Sequence, residues 1–152
     1  MSKYINISVE EMEQFLVPLG FQKISISGTK EIVFAKRVDT DNLQLSLRIY
    51  SGIDQNSGQS RTVGADAIRV DLFGMIENKP TYLGGSKRVH RVAGWRENLQ
   101  NRLNNWLDFL PKEKCPECGY PMVLRTAKST GNKFLGCVRY PLCRHTKAYQ
   151  AA

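Results

Sequence analysis

The sequence predicts an α+β domain, built as a helix, an antiparallel sheet and a second helix, with a small separate module at the C-terminus. Three observations carry this. Apolar residues recur at helical spacing in two stretches, one near the N-terminus and one over 95–110. Between them, apolar and polar residues alternate with a period of two. All four cysteines of the 152-residue chain fall in its last quarter.

The first helix is marked by its own residues. Ser8 and Glu11 form a capping-box pattern, in which each side chain satisfies an otherwise unpaired backbone N–H. Met12, Phe15, Leu16 and Leu19 share one face, and Pro18 with Gly20 marks the end. Ile32 to Arg37 is rich in β-forming residues, and Asp39, Thr40, Asp41 and Asn42 supply a turn. Leu43, Leu45, Leu47 and Ile49 then alternate with Gln44, Ser46, Arg48 and Tyr50, the strongest strand in the chain. Gly52 to Gly64 reads as a long polar loop. Ile68, Val70 and Leu72 alternate with Ala67, Arg69 and Asp71, and Phe21 to Ile26 is a weaker strand. Residues 78–94 hold Pro80, three glycines and the basic cluster Lys87, Arg88, His90 and Arg91, with no strand assigned. The second helix runs from Trp95 to Leu110, with Trp95, Leu99, Leu103, Trp106, Leu107 and Leu110 on one stripe. Pro111 stops it, and Lys112 to Lys114 reads as a short hinge.

Composition narrows the class. Hydrophobic residues at 41% and charged residues at 24% describe an ordinary folded chain rather than a disordered one. Glu10, Glu11 and Glu13 stand where a secretory signal would need an apolar stretch. No apolar run approaches the ~20 residues of a membrane span. The expected location is therefore cytoplasmic, on the nucleoid where DNA is bound, and no membrane partner is expected. In that compartment structural disulfides are disfavoured.

The cysteines fall in two pairs. Cys115-Pro116-Glu117-Cys118-Gly119 is a knuckle, with Gly119 free to take the positive φ that such a turn needs. Cys137 and Cys143 enclose five residues, including Tyr140-Pro141. Met122 to Arg125 and Lys133 to Leu135 read as two short strands between the pairs. Two cysteine pairs at the ends of a hairpin describe a zinc ribbon holding one structural Zn²⁺ through Cys115, Cys118, Cys137 and Cys143. Disulfides and reactive thiols are the alternatives. The compartment argues against the first, and the lack of a βαβ frame against a thioredoxin-like site. His145 is a substitute ligand in principle, but four thiolates already complete the shell.

This segment resembles the four-cysteine zinc ribbon at the C-terminus of bacterial type IA DNA topoisomerases. The resemblance spans about residues 113–148. It rests on Cys-Pro-Glu-Cys-Gly, Met122 to Arg125, Gly131 to Cys137, and Tyr140-Pro141-Leu142-Cys143 with its five-residue gap. It implies DNA binding, single-stranded DNA in particular. It does not imply strand breakage, whose nucleophilic tyrosine and acidic metal ligands belong to a large catalytic region. The expected division is residues 1–111 as an α+β domain of no recognised family and 112–152 as the ribbon.

The charge favours the same partner. The chain is formally +8, and residues 113–152 contribute +5 of it, from seven basic and two acidic residues. Zinc with four thiolates carries about −2, so the metal-loaded ribbon is still basic, at about +3. Arg125, Lys133 and Arg139 lie beside Phe134 and Tyr140, and cations with aromatic faces suit phosphates and unpaired bases. The bland reading of Phe134 and Tyr140 is a minimal ribbon core. Upstream, Lys36, Arg37, Arg48, Tyr50, Arg61 and Arg69, or the 87–91 cluster, could extend a DNA path, against the simpler reading of a solvated sheet face.

The function expected is a non-enzymatic DNA-binding accessory protein, contacting single-stranded or unpaired DNA through the ribbon. Two rivals stay open. One is a small metal-dependent nuclease using Glu31, Lys36, Asp66 and Asp71, although Asp66 and Asp71 face opposite ways on a regular strand. The other is an adaptor whose ribbon contacts a DNA-processing enzyme.

Overall fold

The computed structural model describes residues 5–57, 67–85, 88–108 and 110–149. Helix α1 (Val9–Leu16) begins where the Glu11 N–H donates to the Ser8 hydroxyl oxygen at 3.1 Å. The Ser8 hydroxyl in turn donates to Glu11 Oε1 at 3.4 Å, so the box closes through side chains. The helix is shorter than its apolar spacing implied. A 3-10 turn over Val17–Leu19 replaces its last turn, and Gly20 closes it at φ 98°, a conformation that favours glycine.

Strands β1 (Gln22–Ile24), β2 (Glu31–Arg37), β3 (Leu45–Asp54), β4 (Ala67–Ile76) and β5 (Lys79–Gly85) follow in one antiparallel meander, each beside the next. A two-residue strand, β6 (Val89–His90), pairs with the start of β4. Helix α2 (Trp95–Asp108) comes after it.

The period-two pattern sets which residues meet. Ile49 lies opposite Phe34 and Val70, and Leu47 opposite Lys36 and Leu72, on one face. Phe34, Leu47, Ile49, Val70 and Leu72 are all buried there, in one cluster with Met12 and Leu16 of α1 and Trp95, Leu99 and Leu103 of α2. Phe15 meets Trp95 edge-on at 5.5 Å between ring centroids, so the two helices share this face. The space is tight. A Cβ on Gly74 would come within 2.7 Å of Leu83 Cδ1.

The second sheet follows α2. Strands β7 (Glu113–Lys114), β8 (Pro121–Thr126), β9 (Lys133–Cys137) and β10 (Thr146–Ala148) are antiparallel, in the order β10-β9-β8-β7.

The fold is thus mixed, with antiparallel sheets and two helices, and the expected order is matched in outline only. The expected hinge contains β7, whose Glu113 and Lys114 pair with Met122 and Pro121. β3 starts at Leu45, because Asp39 Oδ1 accepts the Leu45 N–H and the Thr40 N–H donates to the Leu43 carbonyl, which keeps 39–43 a turn. It runs on to Asp54, through residues expected in a loop. β5 and β6 have no counterpart in the sequence pattern. β5 is reached by a two-residue turn in which Glu77 and Asn78 take φ 51° and 64°, the mirror-image turn that suits a hairpin. Pro80 is tolerated because β5 is an edge of the main path. Leu107, expected on the buried stripe, is 43% exposed. The helix ends at Asp108, so its turn no longer carries Leu110. Arg61, Asp66, Lys87 and most of the 52–64 loop lie outside the described residues. No helix among the described residues is long and apolar enough to cross a membrane.

Candidate metal centre and nucleic-acid interface

The four cysteines converge from two turns. Cys115 follows β7, and its N–H donates to the Tyr120 carbonyl while its own carbonyl accepts the Gly119 N–H. Gly119 takes φ 78°, as the knuckle requires. Cys137 ends β9, and its carbonyl accepts the Tyr140 N–H, while the Arg139 carbonyl accepts the N–H groups of Leu142 and Cys143. The two turns face one another. All four Sγ atoms lie within 4.8 Å of one another, with Cys115 to Cys143 at 3.7 Å and Cys118 to Cys137 at 3.2 Å. Tetrahedral Zn–S bonds of ~2.3 Å place sulfurs about 3.8 Å apart, so this cluster fits one zinc ion. All four are free thiols.

Protons compete with the metal at this site. Burial above all pushes the Cys137 thiol up to about 12, the Cys118 and Cys143 sulfurs adding to it and the Arg139 N–H opposing. A ligating sulfur must be a thiolate, so zinc displaces that proton on binding. Zinc supplies a structural cross-link here rather than chemistry on a substrate, because four sulfurs leave no open position. His145 is outside the cluster. Its Nδ1 lies 3.6 Å from Glu117 Oε1, and its carbonyl accepts the Cys137 N–H.

The ribbon's sheet separates the five residues expected on nucleic acid. Arg125 pairs directly with Phe134, and Val123 with Gly136, so these four positions share one face. The Arg125 guanidinium lies 5.9 Å from the ring centroid of Tyr140, which is 59% exposed. Arg125, Phe134 and Tyr140 therefore form one group. A Cβ at Gly136 would come within 3.2 Å of Arg125 Cδ, so the absent side chain leaves room for the arginine. Lys133 pairs with Thr126 and belongs to the opposite face, with Leu135. Arg139 lies 4.8 Å over the Tyr120 ring rather than with the Phe134 group. Alternation along β9 is the signal that separates Lys133 from Phe134, since consecutive strand residues point opposite ways. Leu142, inside the five-residue gap, is a residue the sequence pattern does not single out. It is 81% exposed beside Tyr140.

The upstream candidates are mostly engaged within the fold. The Lys36 ammonium donates to the Leu19 carbonyl at 2.8 Å, closing the end of the 3-10 turn. Arg37 pairs with Asp39 at 2.7 Å. Arg48 lies 3.9 Å over the Phe73 ring, and Arg69 lies 4.6 Å over the Tyr50 ring and 3.5 Å from Glu31 Oε2. Tyr50 is only 9% exposed, so it is no open stacking surface. Of the carboxylates considered for a nuclease, Glu31 accepts the Gly52 N–H and pairs with Arg69. Asp71 stands opposite Arg48, on the face away from Lys36. Burial above all raises the Asp71 carboxyl, Arg69 opposing, Glu31 adding to the rise and Arg48 opposing.

Comparison with known proteins agrees with the metal geometry. Residues 112–152 match the family described as the topoisomerase DNA binding C4 zinc finger. The chain is also similar to DNA topoisomerase 1 of Mycoplasma genitalium, at 28% identity over 95 residues. That alignment takes in 49% of this chain but 13% of the relative, so the chain spans a small part of that enzyme's length. No solved structure matches the chain. Residues 112–152 carry a zinc ribbon of the topoisomerase DNA-binding type, with a single zinc site at Cys115, Cys118, Cys137 and Cys143.

Proposed function

We propose that this protein is a DNA-binding accessory protein that holds single-stranded or unpaired DNA on the ribbon. The observation that carries the reading is the group of Arg125, Phe134 and Tyr140 on one face of the zinc-bound sheet. Tyr140 offers an open ring to a base, Phe134 a half-buried one, and Arg125 a cation to the adjoining phosphate. Lys133 and Arg139 contribute charge from neighbouring surfaces and guide the strand. On this reading residues 1–111 form a separately stable domain and 112–152 the DNA-contacting module. The similarity to part of a topoisomerase supports DNA as the partner, and the protein works where DNA enzymes expose unpaired strands.

Duplex DNA buries base faces in its own stack, so the kind of DNA bound reports on stacking. Tyr140→Ala and Phe134→Ala are expected to cost ~1–3 kcal/mol on an oligothymidylate and much less on a duplex. Zinc content and melting temperature, followed on each variant, expose any structural loss, which would weaken both substrates alike. Folded variants that keep full single-strand affinity would sink the stacking role. Affinity that stays flat between low and physiological salt would favour a protein-contacting adaptor instead, since phosphate contacts release counterions.

A further inference from the structure

Five of the described arginines that precede the ribbon are visibly occupied. Arg37, Arg69 and Arg96 pair with Asp39, Glu31 and Glu11. Arg48 lies on Phe73 and opposite Asp71. Arg91 is 3% exposed and donates to the Gly52 carbonyl. Two differ. Arg88 and Arg102 have no carboxylate within ion-pair distance among the described residues.

These two arginines line the same groove, a depression of about 390 Å³ between β6 and α2. His90, Asn98 and Asn101 line it with them, and among the described residues no acidic one does. Asn98, Asn101 and Arg102 are at helical spacings of three and four, so they project from one face of α2. Arg88 directly precedes β6, whose Val89 and His90 are paired to Ile68 and Ala67 of β4. The groove walls are thus a helix and a hydrogen-bonded strand, which hold the donors at a defined spacing. Unpaired guanidinium groups with amide donors beside them suit an acceptor that is multiply anionic and lacks donors of its own.

We propose that this groove seats the phosphodiester backbone of the DNA strand held by the ribbon, as a second contact outside the zinc module. The inference rests on the DNA reading above. α2 rises ~1.5 Å per residue, so Asn98 in the groove and Asp108 near the ribbon are about 15 Å apart along its axis. Asp108 lines the cleft that also contains Met122, Leu124 and Leu135, on the ribbon face opposite Arg125 and Phe134, so the strand rounds the edge of the ribbon's sheet between the two sites. Contacts to phosphate fix a strand's position without reading its bases, so the groove adds affinity and direction rather than sequence preference.

The test uses the zinc-loaded full chain and oligothymidylates of increasing length, with affinity measured across a salt series. Arg88→Gln and Arg102→Gln remove the charge but keep a polar side chain, and are expected to leave zinc content and melting temperature unchanged. On long oligomers, each should lower the slope of log affinity against log salt by about 0.7 for every phosphate no longer neutralised. On oligomers too short to leave the ribbon, neither should have an effect. A double variant that binds the long oligomer with unaltered affinity and slope overturns the groove while leaving the ribbon reading intact. An equal drop in affinity at every length also overturns it, since the effect would then be a general change of net charge. If the unaltered protein binds no oligomer, the ribbon reading fails and the groove fails with it.

Discussion

The two sheets of this protein are held together by different means. Among the described residues, nineteen buried ones make up the cluster between the first sheet and its helices, with Trp95, Phe34 and Leu47 essentially sealed from solvent. The second sheet has three among its described residues, Cys115, Met122 and Cys137, of which two are metal ligands. A module of about forty residues cannot bury enough apolar surface to fold by that alone. In the ribbon four metal–sulfur bonds take the place of a core, which leaves Tyr140 exposed and Arg125 and Phe134 half-buried on its surface. Where the hydrophobic effect does the holding, aromatic residues go inside. Where a metal does it, they can be presented to a ligand.

The sharpest way to break this contrast is chelation. Structural zinc contributes ~10–16 kcal/mol in small zinc-folded modules, so its removal should unfold the ribbon and leave the first sheet folded. Backbone hydrogen exchange resolved by region measures this, and a purified protein without zinc would refute it outright. The separation has one seam. Tyr120 and Val138 of the ribbon also pack against the large core, so the first sheet's melting temperature should drop slightly on chelation. Melting of both sheets together would show that they form one cooperative unit.

Trp95→Ala probes the other side. It removes the largest fully buried side chain and the edge contact with Phe15, for an expected cost of ~3–5 kcal/mol in urea unfolding of the first sheet. Zinc content should not change. Loss of zinc in a variant whose first sheet is still folded would show that the ribbon depends on α2 packing.

The smallest effect sharpens the comparison at Asp71. Its raised pKa means that the folded state holds the proton more tightly than the unfolded chain. Its contribution to stability is therefore fully present below the ordinary value of 3.8 and declines as pH rises through the folded value. Asp71→Asn should remove this dependence, so the variant's stability relative to the unaltered protein rises with pH above about 4. A difference between the two that does not vary with pH would mean that Arg48 and Arg69 fully offset the burial.

Much of this is legible because it is local. Cysteine spacing determines the metal, since the knuckle's geometry lies within a few residues. The capping pair at Ser8 and Glu11 and the alternation from Leu45 to Ile49 act over one turn or one pleat, and both are seen. β5 escapes because Pro80 and the glycines carry poor strand propensity, and its pairing with β4 decides the matter instead. Tertiary structure alone decided which cations are spent. Lys36 meets a carbonyl seventeen residues away, Arg69 a carboxylate on another strand, and Arg96 one on another helix. The sequence by itself determined that zinc is bound and that the chain is basic. Which of the described arginines ahead of the ribbon lack a carboxylate partner, Arg88 and Arg102 in one groove, depends on partners brought together only by folding, because charge pairing is a property of distance in space.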